Sequence, residues 1–178
     1  MLPGHFVHAQ TYSSVISDRE IYSFLSWLTR REQKYGDEPK FGRKVISNRI
    51  VAWDSSNFIR TNDPQQEMSF DRKYLFKDAV FNIFTAADSE FMYRQYLGCA
   101  DTIWHRPFSN SVLWTKGKQQ KPNKHYYSIP LFSMDRNHVI VYEVYHCGFL
   151  CAYGGYKVYK RVGAHSWHLV TTLNAWVS

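Results

Sequence analysis

The residue best placed to do chemistry is Glu143. It sits in the run Val139-Ile140-Val141-Tyr142-Glu143-Val144-Tyr145-His146-Cys147. In a strand, alternation puts Val139, Val141, Glu143, Tyr145 and Cys147 on one face and Ile140, Tyr142, Val144 and His146 on the other. If the first face is the buried one, Glu143 lies among apolar groups. Burial disfavours the charged form of a lone carboxylate, which is how a general acid or base is tuned. The competing reading leaves this face in solvent and pairs Glu143 across the strands with Lys157, Lys160 or Arg161.

Cys147 and Cys151 form the second candidate group. Only three residues separate them across an expected turn, so their Cα atoms can come within the roughly 4.4–6.8 Å that a disulfide requires. Free buried thiols, a metal site and a redox pair are the alternatives. Zinc usually takes four ligands; His146, Cys147 and Cys151 supply three, and a fourth would come from afar, from His125 or His138. Redox pairs of the thioredoxin kind use a shorter spacing at the start of a helix. Cys99, following Gly98, reads as a small buried hydrophobe.

The third group is a basic, aromatic loop. Residues 116–124 carry four lysines, and Lys116 and Lys118 lie near Trp114, Tyr126 and Tyr127. Charge interleaved with aromatic rings suits an anionic or carbohydrate-like ligand. It also suits single-stranded nucleic acid, the less favoured partner, and the same mixture is found in ordinary hairpin loops. No ordered Ser-His-Asp set and no glycine-rich phosphate loop can be traced, because Gly148, Gly154 and Gly155 occupy a hairpin reversal rather than the start of a helix. No motif in the chain calls for a cofactor or a metal.

These residues need elements to hold them. Ser17-Asp18-Arg19-Glu20 reads as a capping box, and Ile21, Phe24, Leu25 and Leu28 follow at the spacing of one helical face. Arg30, Arg31 and Lys34 suit the negative end of the helix dipole, and Gly36 and Pro39 stop the helix. Residues 44–53 are β-branched and read as a strand bent near Ser47-Asn48. Residues 54–69 read as a polar connection, and 70–84 is open between helix and strand. Thr85 to Asp88 caps a short helix carrying Phe91, Met92, Gln95 and Tyr96, which ends at Gly98.

From residue 102 the pattern turns to β. Strands are expected at 111–115, at 126–132 with Pro130 forcing an edge or a bulge, at 138–147, at 156–162 and at 167–176. The strand at 138–147 should be central, flanked by 126–132 and 156–162. Short turns join these runs, and short turns favour antiparallel pairing. Helices first and strands last make an α+β fold, with N-terminal helices packed on one face of a C-terminal antiparallel β-meander. A curved sheet of the cystatin-like or nuclear-transport-factor-like kind fits that order. Residues 17–178 read as one domain. Residues 1–16 read as a signal-peptide stub or a disordered terminus, since Val7-His8-Ala9 before Gln10 offers the small or apolar positions that a signal peptidase reads.

Composition narrows the partners. Basic residues exceed acidic ones, 22 against 15, leaving a net charge of +7, which attracts anions weakly and says nothing of fold. Aromatic residues make up 17% of the chain, suiting half-buried sheet faces as well as pocket walls. No run approaches the roughly 20 apolar residues of a spanning helix.

The C-terminal quarter resembles a group of uncharacterised exported bacterial proteins. The resemblance rests on Pro130-x-Phe132-Ser133-x-Asp135, Cys147-Gly148-x-x-Cys151, Gly154, Trp167 and the closing Trp176-Val177-Ser178. It departs from the common form at Ala152, where a second glycine is usual. The resemblance implies a periplasmic or extracellular protein with a small sheet, and it implies no reaction. The leading expectation is therefore an exported, non-catalytic binding or interaction domain for an anionic or carbohydrate-like partner. The alternative is a small-pocket enzyme using Glu143 as general acid or base.

Overall fold

A computed structural model describes residues 12–35, 45–53, 83–99, 102–110, 113–115, 123–148 and 151–178. The polar connection expected at 54–69, most of the ambiguous stretch after it and residues 1–11 of the N-terminal stub fall outside these residues, while residues 12–16 of that stub are described.

Helix α1 spans Asp18–Tyr35. Ser17 caps it, its hydroxyl accepting from the Glu20 amide at 3.2 Å. The reciprocal half of the expected capping box is replaced: the Glu20 carboxylate reaches Arg161 at 3.4 Å and Arg136 at 3.7 Å, tying the helix start to the sheet. Ile21, Phe24, Leu25 and Leu28 are buried as their spacing predicts. Phe24 meets Tyr159 and Trp167 edge-on, with ring centres 5.6 and 5.3 Å apart.

Helix α2 spans Ala86–Leu97 and carries a complete capping box between Thr85 and Asp88. The other Asp88 oxygen accepts from the Met134 amide at 2.8 Å. Partial burial works against the charged form of Asp88, but the donors on Thr85 and Met134 outweigh it and hold its pKa below the ordinary value.

The strands are β1 (Val45–Ile50), β2 (Leu113–Thr115), β3 (Lys124–Tyr127), β4 (Leu131–Phe132), β5 (His138–Gly148), β6 (Cys151–Gly163) and β7 (Ser166–Val177). They form one sheet in the order β2-β1-β3-β5-β6-β7, with β4 also on β5. The long strand β5 takes β3 and β4 on one edge and β6 on the other, as the sequence led us to expect. Pro130 interrupts that first edge. There the Ser128 hydroxyl accepts the Tyr142 amide at 2.9 Å while the Ser128 amide donates to the Tyr142 carbonyl at 2.9 Å, so a side chain carries the ladder past the break.

Two expectations need correction. The sheet is mixed rather than antiparallel throughout, because β1 runs parallel to both β2 and β3. Short turns dictate antiparallel neighbours only for strands they join; β1 reaches its neighbours through long connections, which permit parallel pairing. Helix α2 also does not keep to the face that α1 covers: its Phe91 joins the α1 cluster, while its Met92 packs on the other side. Strand β5 buries Val139 and Val141 on one side and Ile140 on the other, so both sides need cover. Residues of α1 pack in a cluster with Val139, Val141 and Tyr159. Met92 of α2 joins Leu131, Ile140, Tyr156 and Val158 in a second cluster on the opposite side.

Gln95 fixes where α2 sits. Its amide donates to the Phe132 carbonyl at 2.7 Å and accepts from the Phe132 amide at 2.8 Å. One side chain thereby imitates the next strand along the outer edge of β4, satisfying buried backbone groups that would otherwise be costly.

Candidate functional site

Glu143 lies on the α1 side of β5 and is only 4% exposed. The ladder sets Tyr127 of β3 opposite it on one flank and Gly155 of β6 on the other. One carboxylate oxygen is 3.1 Å from His125 Nδ1. The other accepts from the Lys157 ammonium. The Tyr127 hydroxyl, fully buried, also bonds this carboxylate, and its pKa is pushed well above the ordinary value, first by burial and then by the charge of Glu143.

The arrangement has a clear electrostatic logic. An isolated buried carboxylate is expensive, and opposite charge plus hydrogen bonds is what makes burial tolerable. A carboxylate acceptor requires Nδ1 of His125 to carry its proton, so the pair fixes the ring's orientation and tautomer. Beyond His125 the aromatic row continues: the Tyr145 ring centre lies 4.4 Å from that of His125, and Tyr153 lies 5.0 Å from Tyr145. Tyr153 is 42% exposed, so this row runs from solvent to the buried ion pair.

The sequence left Glu143 between an enclosed site and a solvated face. The structure combines half of each. The residue is enclosed, and of the three cations considered it takes Lys157. Lys160 is exposed, while Arg161 goes to Glu20, to the Arg136 carbonyl at 3.0 Å and over the Trp167 ring at 4.6 Å.

Of the basic, aromatic candidates, Tyr126 and Tyr127 do not share a surface. Tyr126 and Tyr127 are successive strand residues and point to opposite faces: Tyr127 is interior, whereas half-buried Tyr126 meets the His146 ring at 5.4 Å. Trp114 lies in β2 in register with Ile46. Lys116 and Lys118 lie outside the described residues.

Cys147 and Cys151 are joined in a disulfide with their Cα atoms 5.1 Å apart. Cys147 occupies the irregular position between the His146–Ala152 and Gly148–Cys151 pairs. Gly148, with φ of +156°, has a backbone conformation that suits glycine. Cys99 carries a free thiol, half-buried, and burial pushes its pKa up to about 12. Beside it lies a cavity of about 220 Å³ lined by Ile50, Trp53, Tyr96, Thr102 and Ile129 among others, sharing no residue with the Glu143 cluster.

A second aromatic row crosses the other face of the sheet, and residue-by-residue reading missed it. Trp53 stacks on Tyr156 with ring centres 5.5 Å apart, and Tyr156 lies 4.5 Å from Tyr142. The Tyr142 hydroxyl accepts from Trp176 Nε1 at 2.9 Å. Trp176 sits opposite Gly154, where an added Cβ would lie 2.9 Å from the indole carbons. Only glycine leaves room for that ring, which remains 36% exposed. The available signal was the alternation that pairs Tyr142 with Tyr156 and Gly154 with Trp176, legible only once the hairpin registers are known.

Comparison with protein-family models, with curated proteins and with solved structures finds no match to this chain.

Proposed function

We propose that the chain is an exported binding or interaction domain, without catalysis of its own, that takes a carbohydrate-like partner. The observation that carries this reading is the hydrogen bond from Trp176 Nε1 to the Tyr142 hydroxyl. It holds an exposed indole close against Gly154 at the end of an aromatic row. Sugar rings offer C–H groups to aromatic faces and hydroxyls to polar edges, and a ring already fixed in place loses little entropy on binding. The net charge of +7 favours acidic sugars over neutral ones. The ion pair of Glu143 with Lys157 and its hydrogen bond with His125 support a structural rather than a catalytic carboxylate.

Two further parts belong to this reading. Export is supported by the Cys147–Cys151 disulfide, since such bonds persist in oxidising compartments, and by the resemblance of the C-terminal quarter to exported bacterial proteins. A sheet curved around α1, cystatin-like or nuclear-transport-factor-like, is supported by the register shifts along β6 and β7, because bulges sharpen strand twist.

Calorimetry with a heparin-derived hexasaccharide and with cellohexaose tests the partner. The unmodified chain should bind, the acidic sugar more tightly, and Trp176→Ala should weaken binding about tenfold or more. A chain that binds neither sugar, or a Trp176→Ala variant that binds as well as its parent, removes this reading.

A second reading follows from His125 and Glu143 at 3.1 Å: an enzyme in which this pair moves a proton and Lys157 swings away when substrate enters. Activity against any substrate class that is lost in both Glu143→Gln and His125→Gln, with folding retained, would favour it over the first.

A further inference from the structure

We propose that the Cys147–Cys151 disulfide is a redox latch on the exposed Trp176 surface. The latch rests on where the last residues of the chain find their partners. Ser178 exchanges both backbone hydrogen bonds with Ala152, at 2.8 and 3.2 Å. Val177 pairs with Tyr153 and Trp176 with Gly154. The C-terminal end therefore rests on the segment 152–154, which begins directly after Cys151.

Much of this end is open to solvent: Cys151, Tyr153 and residues 174–178 are exposed. The segment pairs with 144–146 of β5, Ala152 is buried and Tyr153 meets Tyr145. Gly154 and Gly155 then follow, and side-chain-free residues weaken a strand where they stand. The sheet beyond them is firmly held, with Val158, Tyr159, Val139 and Val141 buried. Residues 151–154 together with 176–178 thus form a distal unit that can open while the rest stays folded. The disulfide closes the hairpin of this unit across the irregular position of Cys147.

Cys151 is exposed and Cys147 half-buried, so a dithiol reductant can reach the bond. Its thiolate attacks the Cys151 sulfur, and Cys147 leaves as a thiolate that takes up a proton. The reductant's second thiol then displaces Cys151, closing the reductant's own disulfide and leaving two protein thiols. The distal unit loses its cross-link, and Trp176 loses the platform that aims it. Oxidation restores both, so the aromatic surface is complete in an oxidising compartment and loosened in a reducing one.

Hydrogen exchange on the full chain tests the latch, comparing the oxidised protein, the protein in dithiothreitol and the Cys147→Ser/Cys151→Ser double variant. A ring this short should raise exchange about thirty-fold when opened. The rise is expected in amides 152–154 and 176–178 under both treatments, with protection at 139–144 retained. Unchanged exchange at 176–178, or an equal rise throughout 139–144, overturns the latch. Its effect on ligand rests on the carbohydrate reading: hexasaccharide binding should fall on reduction in the parent chain and not change further in Trp176→Ala. Faster exchange in a chain that binds neither sugar sinks the carbohydrate reading and leaves the latch standing, whereas sugar binding that depends on Trp176 and does not change on reduction overturns the latch. Unchanged exchange sinks the latch whatever the sugar does.

Discussion

Lys157 reaches Glu143 diagonally across the β5–β6 ladder, because the residue directly opposite Glu143 is Gly155 and carries no side chain. An ion pair consequently forms at a position where strand register alone would have set Lys157 against Val141. This relationship separates a neutralised buried carboxylate from a poised one.

The pair should be strongly coupled. Lys157→Met leaves a nearly buried carboxylate without its cation and should cost about 1–3 kcal/mol, less than for a fully buried pair because the lysine side chain is 26% exposed. Glu143→Gln should cost a similar amount, and the double variant should cost less than the two added together. Urea midpoints of the four proteins measure this; simple additivity would mean that the two side chains do not interact.

Gln95 makes a sharper case, since it satisfies both backbone groups of Phe132. Gln95→Met keeps the volume and leaves both groups buried and unpaired, at a cost of about 2–4 kcal/mol. Exchange of the Phe132 amide should accelerate beyond what the loss of global stability accounts for. A variant with parental stability would show that Gln95 merely accompanies the edge of β4.

Gly154→Ala should disturb two neighbours at once. The new methyl would lie 2.8 Å from the Glu143 carbonyl and 2.9 Å from the Trp176 ring. Overpacking against backbone on one side costs about 1–3 kcal/mol, and the indole must leave its seat. Both stability and sugar binding should fall in this variant, whereas Trp176→Ala should lower binding with a smaller loss of stability. Equal behaviour of the two would remove the special role of glycine here.

Acid should destabilise the chain through Asp88 and His138, and the signs agree. The Asp88 pKa is lowered in the fold, so its contribution is present above the ordinary value of 3.8 and lost as pH falls through the folded value. The His138 pKa is also lowered, mainly by burial, with the nearby charge of Asp135 opposing. As pH falls below 6.5 the unfolded chain takes up that proton first, and stability declines until the folded value is passed. Asp88→Asn should flatten the steep region below about pH 4, and His138→Gln the shallower decline just below neutrality. Stability profiles that keep their slope in both variants would assign the acid limb to other groups.

Oxidised protein denatured without reductant should show one reactive thiol, Cys99, and two more after reduction. In the native state Cys99 should react slowly, because burial keeps it protonated.

Local signals in the chain marked much of its local structure, although Gly154 and Gly155, read as part of a hairpin reversal, lie within β6, which begins at Cys151. Ser17 and Thr85 mark helix starts, Pro130 marks a break in pairing, and the alternation at 138–147 marks the central strand; each depends on neighbours within a few residues, so sequence order suffices. The spacing of Cys147 and Cys151 likewise limits the turn between them closely enough to bring their Cα atoms within bonding range. What only the tertiary structure decided are the relations between distant segments. The parallel placement of β1, the cover of both sheet faces, the imitation of a strand by Gln95 and the meeting of Trp176 with Tyr142 all depend on long connections and on register. Glu143 shows why most plainly. Alternation put it on a definite face, but its environment depends on what covers that face and which cation reaches it, and His125 and Lys157 arrive there from two separate strands. Burial and pairing are sums over spatial neighbours, and sequence distance does not order those neighbours.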